Sequence, residues 1–348
     1  MMPLAHPVLG IRAADLRDPH ECALIDAFVR AAEGATPFHL PAWSLAIAKG
    51  CGQKPHYLLA ETGGEIVGVL PLTEVRSAIF GQALVSAGFA VDGGVLGQGT
   101  ELLAHAAWEL AETLGCPTME LRGGPAPEDW DTNHDTYLGF SRELAADDDA
   151  ELLKIPRKQR AEVRKALSFD LQIDTAGDVK AHYAVYSESV RNLGTPVFPR
   201  KLFKAVLEAF GDAADILTVR HAGTPVASVL SLYFNGTVYP YWGGGTKAAR
   251  GLRANDRMYF ALMLHARSKG CTGFDFGRSK AGTGPAAFKK NWGFEPKPLA
   301  YATRVAEGSA KREINPLNPR YALKIALWKR LPLGIANLVG PILARGLG

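Results

Sequence analysis

The sequence predicts an α/β (α+β) fold built twice over, each copy a mixed, mostly antiparallel sheet flanked by helices. Three observations predict it. Short apolar runs joined by glycine turns alternate with amphipathic stretches, the pattern of strands laid against helices. The order of these elements in the first half returns in the second. The two copies also keep nearly the same offset, whether measured between the turn glycines Gly64 and Gly223 or between the helix-ending pairs Gly115-Cys116 and Gly270-Cys271.

In the first copy, residues 23–32 and 43–49 read as helices. Residues 57–60 and 66–70 form a hairpin about Gly63-Gly64, and the small apolar residues 81–90 supply a third strand. Thr100 is placed to cap a helix whose apolar face is Leu103, Ala107, Leu110 and Leu114, and Thr118 to Leu121 follows as a strand. In the second copy, residues 216–219 turn at Ala222-Gly223 into 226–234. Asn235-Gly236 is a strong hairpin signal leading to 237–242. Asn255 or Asp256 then caps a helix that shows Tyr259, Leu262, Met263 and Ala266 on one face, and a short strand, Phe274 to Phe276, follows.

A chain of 348 residues suits two domains, here placed at 1–150 and 151–310, followed by a basic, apolar tail at 311–348. With 47% hydrophobic and 21% charged residues it is neither disordered nor fibrous. The net charge of +4 favours anionic partners such as nucleotides, phosphates, tRNA or a lipid surface without choosing among them. The four cysteines lie far apart and the nine histidines show no ligand spacing, so reduced thiols and no metal are expected. No signal-peptide pattern opens the chain, and no apolar run reaches the roughly 18 residues that a bilayer span needs. The expected location is cytoplasmic, with the inner-membrane periphery open to the tail.

The most informative stretch is Phe274 to Phe294, FDFGRSKAGTGPAAFKKNWGF. A strand, a turn carrying Arg278-Ser279-Lys280 with Gly282 and Gly284, and a helix start make a common recipe for holding an anion. An ordinary strand-to-helix connection with a solvated basic face reads equally well. Upstream, Arg157, Arg160 and Arg164 share one face of a helix, suited to phosphate or carboxylate or simply solvated. Asp147-Asp148-Asp149 reads as a linker or helix start rather than a metal site. The tail sets Leu323, Ala326 and Leu327 opposite Lys324, with Lys329-Arg330 following, fit to dock on the protein or at an anionic interface.

Together these motifs resemble the FemAB-like aminoacyltransferases. The order of elements in each half resembles the GNAT acyltransferase fold, so the resemblance implies two tandem GNAT-like domains. It rests on Arg160 and Arg164, on Tyr241-Trp242-Gly243-Gly244, on Gly270-Cys271, and on the Phe274–Gly277 and Phe288–Phe294 blocks. The string FDFGRSK…GTG…FK…NWGF is similar to a subgroup associated with exosortase/PEP-CTERM systems, which accompany exopolysaccharide export. The family implies transfer of an acyl or aminoacyl group to an amine, with the acceptor bound between the domains. Two features depart from it. The helical-hairpin insert of some members is missing, and no clean pyrophosphate signature follows Trp242.

On this resemblance Lys289 is the expected oxyanion or donor-ester stabiliser, and Asp275 the base or acceptor-orienting group, or else a cap on the turn after its strand. Arg160 and Arg164 would hold acidic groups of the acceptor. Tyr241, Trp242, Arg278, Ser279, Lys280 and Phe288 would line the substrate site, and Phe198 and Arg200 would lie in a closing loop. The donor is acyl-CoA or aminoacyl-tRNA, taken as a co-substrate, and no tightly bound cofactor is expected. The acceptor is an amine on an envelope or saccharide precursor. Competing readings are an acyl-CoA-dependent amino-sugar N-acyltransferase, a non-catalytic assembly factor and a tRNA-binding protein.

Overall fold

The computed structural model describes residues 8–77, 80–310 and 322–347. The loose start at 1–7, the first part of the expected tail (311–321) and Gly348 lie outside them. The described chain divides into two compact units, one of residues 8–134 with 300–310 and 345–347, the other of residues 135–299 with 322–344.

The first unit runs β1 (Gly10–Ala13), α1 (Pro19–Ala31), α2 (Pro41–Cys51), β2 (Lys54–Thr62), β3 (Glu65–Ser77), β4 (Gly81–Ser86), β5 (Leu96–Gly97), α3 (Thr100–Thr113), β6 (Thr118–Arg122) and β7 (Asp131–Asn133). It is completed from far along the chain by β15 (Tyr301–Val305). The sheet order is β1-β2-β3-β4-β6-β15-β7, with β5 beside β3. Among the described residues only β4 and β6 pair in parallel, because α3 carries the chain over between them. Leu103, Ala104, Ala107 and Ala111 of α3 pack into a core with Leu70, Leu84, Met119 and Leu121 from the strands.

The second unit runs β8 (Tyr137–Glu143), α4 (Asp148–Lys154), α5 (Arg157–Leu167), β9 (Leu171–Asp174), α6 (Val179–Leu193), α7 (Arg200–Phe210), β10 (Ala214–His221), β11 (Thr224–Phe234) and β12 (Thr237–Gly245). It continues with α8 (Ala254–Ser268), β13 (Gly273–Lys280), α9 (Gly284–Asn291) and β14 (Pro296–Pro298), and ends with α10 (Ala322–Arg330) and α11 (Leu333–Ala344). The sheet order is β14-β8-β13-β12-β11-β10-β9. Among the described residues the one parallel pair is again the pair joined by a crossover helix, β12 and β13 across α8. Two mixed, mostly antiparallel sheets flanked by helices are therefore what the predicted duplication produces.

Several local expectations need correction. Gly99, at φ 84°, is the residue that caps α3, and Thr100 is already inside the helix. Arg253, at φ 53°, precedes α8, so Asn255 and Asp256 lie in the first turn, where Asp256 accepts a hydrogen bond from Gln159 (2.6 Å). In both cases the entry demands a left-handed backbone, and that demand overrides the side-chain preference. The strand at Phe274 does not end at Gly277 but runs to Lys280. Asp147 is the cap of α4, accepting from the Ala150 N–H at 2.7 Å. Helices α6 and α7 and strand β8 have no counterpart in the sequence reading.

Candidate functional site

β12 and β13 are paired only at Thr237/Gly273 and Val238/Phe274, and beyond those residues their ladder ends. Each strand bulges just where they part. On β12 the register against β11 slips so that Tyr241 is the extra residue. On β13 Phe276 and Gly277 together stand opposite the single residue Phe140 of β8. Gly277 takes φ 66°, and a Cβ there would meet nothing, so glycine supplies the backbone angle rather than space.

That bulge organises the predicted catalytic pair. Asp275 accepts a hydrogen bond from the Gly277 N–H at 2.7 Å, the capping contact that its position at a strand end suggests. Lys289, on α9, reaches back into the same bulge and donates to the Gly277 and Arg278 carbonyl oxygens at 3.1 and 2.9 Å. Its ammonium stands 5.3 and 5.5 Å from the ring centres of Phe140 and Phe276. Burial drives the Lys289 pKa down to about 7; the nearby Asp275 opposes that shift and Arg278 adds to it. Burial likewise raises the Asp275 carboxyl, against the Gly277 N–H and the charges of Lys289 and Lys297. Two ionisable groups with opposed desolvation thus share one turn of backbone, a combination that active sites use.

The other predicted residues divide into groups. Arg278 and Lys280 lie over the Tyr137 ring, 4.5 and 5.5 Å from its centre. Ser279, between them on the strand, is buried and points to the opposite face. Phe288 is partly buried in an aromatic group with Tyr259, Phe276 and Trp292. Much of the Phe274–Phe294 motif is therefore core: Trp292 and Phe294 are almost fully buried, and Phe276 packs on both Phe274 and Phe294. Trp242 is buried against Phe203 and Phe198, whereas its neighbour Tyr241 is half-buried. Arg200 opens α7, just after the loop that carries Phe198.

Arg160 and Arg164 lie on α5 beside its buried face (Gln159, Val163, Ala166), Arg160 partly buried and Arg164 exposed. The start of α5 abuts the end of α9, since a Cβ on Gly293 would lie 3.0 Å from Pro156. Among the described residues no carboxylate pairs with Arg160 or Arg164. β8 was missed by the sequence reading although it supplies Tyr137 and Phe140 to the site. The aromatic and apolar residues Tyr137, Leu138 and Phe140 were the available signal.

A cavity of about 860 Å³ lies elsewhere in this unit, between α6, the start of β11, the loop after β12 and Leu333 of α11. None of the predicted site residues lines it. Its loop is held by Lys247, whose N–H donates to Glu188 at 2.8 Å, and by the Thr246 N–H, which donates to the Val226 carbonyl oxygen at 2.9 Å.

Residues 154–290 match the family described as an acetyltransferase (GNAT) domain, a span that holds α5, β12, β13 and Lys289. No curated protein matches the sequence. Among solved structures the chain is similar to FemX (TM-score 0.63, 14% identity), covering 84% of this chain and 96% of that one. It is similar to a tandem GNAT protein from the clavulanic acid biosynthesis pathway (TM-score 0.56, 14% identity), covering 87% and 100%. A third likeness is to the C-terminal domain of a putative lysylphosphatidylglycerol synthetase from Agrobacterium fabrum (TM-score 0.53, 13% identity), covering 81% and 91%. The fold is thus that of tandem GNAT proteins, and the match to the acetyltransferase (GNAT) family lies within the second unit.

Proposed function

We propose that the protein is an acyltransferase that moves an acyl or aminoacyl group to an amine on a cell-envelope or exopolysaccharide precursor. The observation that carries this reading is Lys289, a buried lysine held in the backbone bulge where two parallel strands part, inside the GNAT-matching span. Two of its three N–H donors are accounted for by the Gly277 and Arg278 carbonyls, and the third is left for an oxygen that gains charge. The amine nitrogen attacks the donor carbonyl, and a C–N bond forms. The C–S bond of a thioester, or the C–O bond of an ester, then breaks. The amine proton leaves to a base, the role assigned to Asp275, and the departing thiol or alcohol takes up a proton. The parted edges of β12 and β13 offer backbone groups to an extended, amide-bearing donor arm. Arg160 and Arg164 would face acidic groups of the acceptor.

The acetyltransferase domain makes acyl-CoA the first donor to test, with aminoacyl-tRNA as the alternative. Wild type and Lys289→Met are titrated with each donor and assayed for thiol or tRNA release in the presence of amino-sugar acceptors. The reading expects turnover of one donor class, reduced about 10²- to 10³-fold in the variant, as for loss of one preorganised oxyanion donor. A folded wild type that binds neither donor would overturn it.

One observation favours a second reading, a non-catalytic assembly factor. Both Asp275 and Lys289 direct hydrogen bonds into the bulge itself and so have a structural use. In that case Lys289→Met weakens the fold but leaves any partner binding unchanged.

A further inference from the structure

The two C-terminal helices have a face that the transfer reading does not use. α10 packs on the end of α6: a Cβ on Gly194 would meet Ile325 at 2.5 Å and Lys329 at 3.0 Å, and Arg191 donates to the Lys329 and Leu331 carbonyls at 3.3 Å. α11 turns Ala336, Gly340 and Ala344 inward, one residue per turn, and Gly340 lies against Val197. The tail therefore docks on its own unit by these inner faces. The outer faces are apolar. On α11 the outward residues Ile335, Leu338 and Ile342 are 48%, 75% and 70% exposed; on α10 Leu323 and Leu327 are 72% and 57% exposed.

Spacings of i, i+3 and i+7 on α11, and i and i+4 on α10, put each set on a single stripe. Water-soluble surfaces scatter such side chains singly rather than in rows. The charge that the two helices carry has one sign. Residues 322–347 contain Lys324, Lys329, Arg330 and Arg345 and no aspartate or glutamate. Arg330 follows Leu323 by seven positions and so stands on the same outward side of α10. Neither helix is long and apolar enough to cross a bilayer.

We propose that the outer face of α10 and α11 is a membrane-docking surface that lies in the plane of a bilayer containing anionic phospholipid. Ile335, Leu338, Ile342, Leu323 and Leu327 enter the acyl boundary, while Arg330 meets lipid phosphates. A second copy of the chain would cover the apolar stripes equally well. The uniform positive charge of the two helices argues against that occupant, because a pair of such faces would bring like charges together. It goes beyond the transferase reading and takes up the peripheral location that the tail's sequence left open, resting on the surface and not on the transfer chemistry.

The test reads lipid binding alone, so its failure and the failure of the transferase reading are told apart. The full chain is mixed with vesicles of phosphatidylcholine, or of phosphatidylcholine with phosphatidylglycerol, and pelleted at low and high salt. Binding should require phosphatidylglycerol and weaken with salt. The double variant Leu338→Ser/Ile342→Ser should partition at least about tenfold less, with thermal stability unchanged because both side chains are exposed. Arg330→Glu should lose binding at low salt. Three results would overturn the proposal: no vesicle binding by wild type, equal binding to neutral vesicles, or a dimer in sedimentation that the double variant abolishes without any lipid binding.

Discussion

Lys289 carries an ionisation that couples stability to pH. Its folded pKa is near 7 and its ordinary value 10.5, so between those values the unfolded chain holds a proton that the folded protein has released. Unfolding free energy therefore rises with pH across that window. Asp275 works in a lower window and in the opposite sense. Its raised folded pKa gives stability that is present at low pH and lost as pH climbs from 3.8 through the folded value. Lys289→Met should remove the rise above pH 7, as read from urea midpoints of wild type and variant at several pH values. If Lys289 acts as an ammonium at the oxyanion, kcat should decline as pH passes about 7; a rise there would mark it instead as a neutral base. Gly277→Ala places a side chain at φ 66° and should cost about 1 kcal/mol. It should also lower kcat further than that loss of stability explains, because it shifts the carbonyl that holds Lys289.

At the scale of elements, β8 is tied to α4 by a buried ion pair. Arg142 donates to Glu151 at 2.5 Å, Glu151 also accepts the Ala145 N–H at 2.7 Å, and Arg142 lies over the Phe294 ring. Removing one partner strands the other charge out of water, so Arg142→Met should cost about 3–5 kcal/mol in denaturant unfolding. Arg142→Met/Glu151→Leu should recover much of that loss. The elements themselves were largely legible. The hairpins at Gly63-Gly64 and Asn235-Gly236, the helix-ending glycines and the apolar face of α3 all announce themselves through turn chemistry or period. Strand β8 was not, because Gly139 breaks its short apolar run and its sheet neighbours, β13 and β14, lie more than a hundred residues away. The candidate pair was legible as residue types, but the bulge that joins Asp275 to Lys289 was not. A register slip depends on the partner strand, and no local pattern encodes it.

Across the whole molecule, each sheet draws a strand from beyond its own half. β15, after residue 300, pairs with β6 and β7 of the first unit. β8, before residue 144, sits between β13 and β14 of the second. A fragment of residues 151–299 therefore lacks the strand beside the candidate site, and should be poorly dispersed by NMR and prone to aggregate. A fragment of residues 135–299 should do measurably better. Equal behaviour of the two would show that β8 contributes little to folding.

Read alone, the chain specified a duplicated α/β architecture, its hairpins and crossover helices, and the stretch from Phe274 to Phe294 as the one to watch. Those features depend on period and on residues that tolerate particular backbone angles, both of which are local. The tertiary structure alone decided which strands complete each sheet, how much of that stretch is aromatic core, and that Lys289 is buried against two carbonyls of a bulge. Strand partners and desolvation arise only when distant segments meet, and the charge state of Lys289 follows from that meeting.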